Sequence, residues 1–249
     1  MALDPVAAAD AEAHLARLDD AVPGLVTAVH VTGSAVLDDY RPGISDLDLV
    51  AETSHAVGPA ELAALAEAHA GVAVETVFVS GGLGSGGPAP WVRDGVAHPE
   101  DSDQLHAITW LQLARYAATL RGPRPTVPAD IPAAQAFCRA NLRSYWAPVL
   151  ADTGAALRGR GADDPCRAEG AMWIALGPAR LWHTIRTGEV ISKTRAGEVA
   201  VERWPDLAGP IGEIRAVRAG ARITLTTRHA LAAVDLGNRI VSDTAQAAP

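Results

Sequence analysis

The chain changes character at one place. Residues 121–132, RGPRPTVPADIP, hold four prolines in twelve positions. Proline lacks the N–H that helix interiors and central strands need, so this stretch reads as an extended linker. Before it, segments alternate between β and helical periodicity. After it, helical spacing runs almost throughout. The expected architecture is an α/β unit over residues 1–130, with a central sheet and flanking helices, followed by an all-α bundle over 131–249. Asp130-Ile131-Pro132 reads as a helix start, with proline inside the first turn.

Within the first unit, residues 7–20 and 59–70 carry helical spacing. Residues 25–32, 46–53 and 72–80 read as strands rich in valine and leucine. The glycine-rich stretch SGGLGSGGPAPW that follows lacks the spacing of a phosphate-binding loop and reads as a flexible connection. Residues 106–120 suggest a short strand and a helix. In the second unit the expected helices are 132–158, 166–187, 193–203, 207–219 and 224–245, with a kink or break at Gly177-Pro178. His106 and His183 read as packed or surface histidines, since no histidine pair has zinc spacing.

The stretch VHVTGSAVLDDYRPGISDLDLV carries the chemistry. Asp46 and Asp48 stand two apart in an apolar strand, so both project to one face. Two such carboxylates repel unless a cation lies between them. Mg²⁺, with its preference for hard oxygen ligands and substrate phosphates, suits the pair. In the next strand, VAVETVFVS, Glu75 shares a face with Ala73, Val77 and Val79, and an acid there is anomalous. If the two strands are neighbours, Glu75 lies beside the aspartates. Upstream, Gly33-Ser34 closes the preceding strand and opens a short helix, where backbone N–H groups and a hydroxyl suit a phosphate. Asp38-Asp39, in the intervening loop, reads as solvent-facing.

Bulk composition narrows the partners. The 249 residues carry 21 basic and 29 acidic side chains, a net charge of −8, and no basic block. Long nucleic acid is therefore not an expected partner, whereas a small cationic molecule is. The two cysteines, Cys138 and Cys166, lack metal-ligand spacing and read as free thiols. With an N-terminus unlike a signal peptide and no long apolar run, a cytoplasmic location is the expectation.

Gly-Ser, a spacer, Asp-x-Asp and a third carboxylate on a later strand together resemble the nucleotidyltransferase superfamily with the DNA polymerase β-like fold. GSAVLDDYRPGISDLDLV, with the later ARLWHTIRTGEVISKTRAGEVAVERWP, resembles the aminoglycoside adenylyltransferases of the streptomycin/spectinomycin type. That resemblance implies a mixed sheet in the first unit and a substrate site in the cleft between two domains. It implies that Gly33 and Ser34 hold nucleotide phosphates, that Asp46 and Asp48 bind Mg²⁺, two ions in all, and that Glu75 completes the metal site or acts as general base. Lys193, the only lysine in the chain, corresponds to a lysine that contacts the triphosphate. Arg180 is structural or lies near a phosphate. Where the family has a nucleotide-side tyrosine this chain has Arg218, whose guanidinium also stacks on a base. Trp146 and Glu169 fall at or near acceptor-side positions, and Trp91 is another candidate pocket wall. The implied reaction moves AMP from ATP to a hydroxyl of an aminoglycoside-like molecule. A natural-product or protein acceptor, or a non-catalytic nucleotide binder, are the alternatives.

Overall fold

The computed structural model describes residues 3–246. The chain divides at Asp130/Ile131 into two compact units. In the first, α1 (Pro5–Ala21) starts on Asp4, whose carboxylate accepts from the N–H groups of Val6 and Ala7. The sheet comprises β1 (Val26–Thr32), β2 (Leu47–Thr53), β3 (Val74–Ser80), β4 (Trp91–Arg93), β5 (Val96–His98) and β6 (Ala118–Arg121), in the order β5-β4-β3-β2-β1-β6. The β2–β3 pair is parallel, joined through α2 (Pro59–Ala68), and the other pairs are antiparallel. The sheet is therefore mixed.

Alternation along the strands divides the unit into two layers of packing. Val29, Val31, Leu47, Leu49, Ala51 and Phe78 face α1 and α2 and form the main core. The opposite face buries Val50, Val77 and Val79 against Leu113 of α3 (Ala107–Arg115), with Trp91 and Trp110 at its margin. Trp91 is thus occupied in packing, and it also stacks on His98 with ring centroids 3.7 Å apart. β4 and β5 are absent from the sequence expectation. They form a hairpin closed by Asp94 (φ 52°) and Gly95 (φ 74°), the positive-φ pair that a two-residue turn requires.

β6 extends into the proline-rich stretch. The guanidinium of Arg121 grips both oxygens of Asp19 on α1 and also donates to the Val26 carbonyl at 3.1 Å. The glycine-rich stretch, expected as a flexible connection, is tied down at two points. The Leu83 N–H donates to Glu52 Oε2 at 3.2 Å, and the Ser85 hydroxyl to the Ser80 carbonyl at 3.0 Å.

The second unit is helical: α4 (Ile131–Asn141), α5 (Ala147–Leu157), α6 (Ala168–Thr187), α7 (Lys193–Arg203), α8 (Ala208–Arg218) and α9 (Thr227–Gln246). Leu142–Trp146 is a π turn that joins α4 and α5 into the one run expected from the sequence. Pro148, just inside α5, cannot donate and crowds the carbonyl four residues back. The wider turn relieves that crowding, with the Ala147 N–H reaching the Leu142 carbonyl. α6 passes through Gly177-Pro178 without the expected break. Gly177 serves close packing instead, because a Cβ there would stand 2.4 Å from the Trp146 ring. Asp243 on α9 gathers three partners: it accepts from Trp182 Nε1 at 2.8 Å and Arg203 at 3.3 Å, and lies 3.9 Å from Arg186. Cys138 is buried and Cys166 half-buried, both as free thiols, and burial pushes the Cys138 thiol up to about 12. Among the described residues no helix is long and apolar enough to cross a membrane.

His14 and His69 are buried between α1, α2 and β3, with their Nε2 atoms 3.1 Å apart. His69 Nδ1 lies 2.7 Å from the Leu65 carbonyl, so it carries the proton. His69 Nε2 then accepts, from His14 and from the Thr76 hydroxyl at 2.8 Å. Both rings are therefore neutral. Burial, with the other ring and Arg17 adding, lowers His14 to about 3; burial with Arg17 lowers His69 to about 4. An unfolded chain takes up these protons near 6.5. The stabilisation is thus complete above pH 6.5 and is lost as pH falls through about 4 and then 3. Urea unfolding between pH 7 and 4 is expected to show this decline. In His14→Leu the slope with pH falls by about one proton's worth.

Candidate functional site

A single register row crosses four strands. Thr32 on β1 faces Asp48 on β2, Asp48 faces Glu75 on β3, and Glu75 faces Arg93 on β4. The expected adjacency of Asp48 and Glu75 therefore exists, and it follows from the parallel pairing of β2 with β3. Asp46 stands one residue ahead of β2, where its side chain is 43% exposed. Glu75, by contrast, is only 7% exposed.

Gly33 explains itself by geometry. It has φ +65°, and a Cβ there would lie 1.8 Å from Asp48 Oδ2. Only glycine lets the Asp48 carboxylate rest against the chain at the end of β1. The Gly33 N–H donates to Gln112 Oε1 at 2.7 Å, from a buried side chain on α3. That N–H is thus engaged by protein, and Ser34 is half-buried in the short 3₁₀ turn Gly33–Val36. Gln112 had no signal in the sequence beyond being polar on a helix. Asp39 is also corrected: it is 1% exposed, 3.6 Å from Arg41, rather than solvent-facing. Its neighbour Asp38 is exposed.

Arg93 is the residue that sequence reasoning missed. Its Nη2 donates to Asp46 Oδ2 at 2.8 Å, its Nη1 lies 3.4 Å from Glu75 Oε2, and its Nε lies 3.5 Å from Asp94. Burial and the negative charge of Asp48 raise Glu75 to about 7, against the pull of Arg93. Among the described residues, no three His, Cys, Asp or Glu side chains are gathered so as to hold a metal by themselves. The donor chemistry nonetheless suits a hard cation. Asp46 and Asp48 offer carboxylate oxygens, and Mg²⁺ commonly takes its remaining ligands from phosphates and water.

The other expected site residues lie in the helical unit. Lys193 is half-buried in the first turn of α7, behind the N-cap Ser192, whose hydroxyl accepts from the Arg195 N–H at 3.2 Å. Gly188 ends α6 in the left-handed conformation, and Arg180 Nε donates to the Ile191 carbonyl at 3.1 Å, holding the segment that presents Lys193. Arg218 is 4% exposed in the last turn of α8. Stacking on a base therefore requires the packing around it to open. Trp146 is 5% exposed, against Gly177 and 4.6 Å from the Trp173 ring. The aromatic surface actually offered there belongs to Tyr145 and Trp173. Glu169 is exposed in the first turn of α6, one helical turn before Trp173.

No protein-family model and no curated protein matches the chain. Its fold is similar to that of a solved structure, the spectinomycin adenyltransferase AAD(9) from Enterococcus faecialis with ATP and spectinomycin. The TM-score is 0.66 at 15% identity, over 93% of this chain and 98% of that one.

Glu75 sets a pH dependence of opposite sign to the histidine pair. Its folded value near 7 exceeds the ordinary 4.5. Its contribution to stability is therefore full below pH 4.5 and is lost as pH rises through about 7. Without divalent cation, raising pH from 4.5 to 8 is expected to cost the wild type about 1–3 kcal/mol more than Glu75→Gln, read from urea unfolding.

Proposed function

We propose that the chain is a nucleotidyltransferase that moves AMP from ATP to a hydroxyl of a small cationic acceptor of the aminoglycoside or aminocyclitol class. The observation that carries this reading is the Asp48–Glu75 pair in register across parallel strands, with Asp48 lodged on a glycine at the end of β1. The likeness in fold to an adenyltransferase with ATP and spectinomycin supports the choice of donor and acceptor.

Asp46 and Asp48 are the residues that would hold Mg²⁺. When bound, that cation supplies charge neutralisation to the triphosphate and orients the α-phosphorus. The Ser34 hydroxyl hydrogen-bonds a phosphate oxygen at the end of β1. Glu75 takes the proton of the acceptor hydroxyl. Glu75, buried beside Asp48 in the same register row, is placed to accept it. The acceptor oxygen forms its bond to the α-phosphorus as the bond to pyrophosphate breaks, with the acceptor proton passed to Glu75. Lys193, which corresponds to a triphosphate-contacting lysine in the adenylyltransferases the sequence resembles, is assigned the same contact. Glu169, with the exposed rings of Tyr145 and Trp173, offers a carboxylate and flat apolar faces to an aminated sugar or cyclitol.

Pyrophosphate release with ATP and Mg²⁺, across a panel containing spectinomycin and streptomycin, tests the reading. Turnover is expected with at least one acceptor. Asp48→Asn and Glu75→Gln are each expected to lower it by about 10²-fold or more. Activity that survives both substitutions contradicts the mechanism. A wild type that consumes no nucleotide with any member of the panel contradicts the acceptor class.

A further inference from the structure

We propose that Arg93 is a resident counter-cation of the acid row, competing with a divalent cation for the Asp46 carboxylate. The nucleotide-free site then binds metal weakly, and the metal enters with the phosphates of its nucleotide. The inference rests on the reading of Asp46 and Asp48 as the cation-binding pair.

Arg93 is placed by backbone geometry and not by chance of rotamer alone. It pairs with Val96 across the two-residue turn Asp94-Gly95, and with Glu75 across β3. The positive φ values of Asp94 and Gly95 fix that turn and hence the register. Each nitrogen of the guanidinium then finds one acid: Nη2 Asp46, Nη1 Glu75, Nε Asp94. Of these three, only Asp46 belongs to the expected cation pair. Its side chain is 43% exposed and that of Arg93 47%, whereas that of Glu75 is 9% exposed. The Arg93–Asp46 contact, like that to the 74% exposed Asp94 and unlike that to Glu75, can therefore part without disturbing buried structure. On parting, Arg93 keeps Glu75 and Asp94 as partners, so its charge stays compensated. A cation arriving alone must displace the guanidinium from Asp46. A cation arriving with phosphates brings its own ligands and new acceptors for the arginine, which relieves the competition.

Mn²⁺ binding, followed by the electron paramagnetic resonance of the free ion at low ionic strength and without nucleotide, tests this. Arg93→Gln is expected to bind Mn²⁺ about three- to fivefold more tightly than wild type, the scale of a partly exposed ion pair. Arg93→Lys keeps the charge but loses the two-point fork. It is expected to change affinity in the same direction by about twofold, and it carries the test if Arg93→Gln does not fold. Asp48→Asn is the comparator and is expected to abolish the bound signal. If Asp48→Asn abolishes binding but both Arg93 variants bind as the wild type does, or more weakly, Arg93 only holds the carboxylates in place and the proposal is overturned. If Asp48→Asn leaves Mn²⁺ binding intact, the cation-pair reading itself fails and the Arg93 proposal falls with it.

Discussion

Four residues held in one row by strand pairing, Thr32, Asp48, Glu75 and Arg93, determine where the charges of the first unit stand. The row depends on one parallel pair in an otherwise antiparallel sheet. With β2 and β3 parallel, Asp48 and Glu75 meet on the same face at the same level. A slip of one residue would turn one of the acids toward the apolar layer under α1 and α2. The valines on the row's own face, Val50, Val77 and Val79, pack against α3 and resist that slip.

The backbone around the row is shaped to receive carboxylates. Gly33 yields its side-chain volume to Asp48, and Gln112 answers the N–H that this close approach leaves beside it. Glu75 is buried, so its charge is costly, and the cost appears as a value near 7. Arg93 offsets part of it from the edge of the sheet. A site assembled in this way has negative charge in excess, with Glu75 buried and the Asp46 side chain 43% exposed. That is the electrostatic condition a divalent cation with a polyphosphate answers.

Much of this was legible from residue patterns, for physical reasons. Acids that interrupt apolar strands announce themselves by the desolvation they would suffer, so Asp48 and Glu75 stood out. Strand and helix periods located β1, β2, β3 and most helices within a few residues. Other features depend on partners distant in the chain. Gln112 looks like any polar helix residue until Gly33 is beside it. Trp146 falls at an acceptor-side position in the sequence, and only the fold shows it buried against Gly177. Arg218 and Asp39 are charged residues that are buried, against their ordinary tendency. The hairpin of β4 and β5 is a different case. Its strands are too short to show alternation, yet Arg93-Asp94-Gly95-Val96 carries a strong local turn signal; that signal pairs Arg93 with Val96, while the pairing of Arg93 with Glu75 is set by the distant β3.

The most direct measurement is the anomalous diffraction of Mn²⁺ in crystals grown with a non-hydrolysable ATP analogue. An anomalous peak within bonding distance of both Asp46 and Asp48 carboxylates is expected, with phosphate density beside Ser34. A nucleotide bound away from the end of β1, or Mn²⁺ on other ligands with the Asp46–Arg93 contact unchanged, would contradict it.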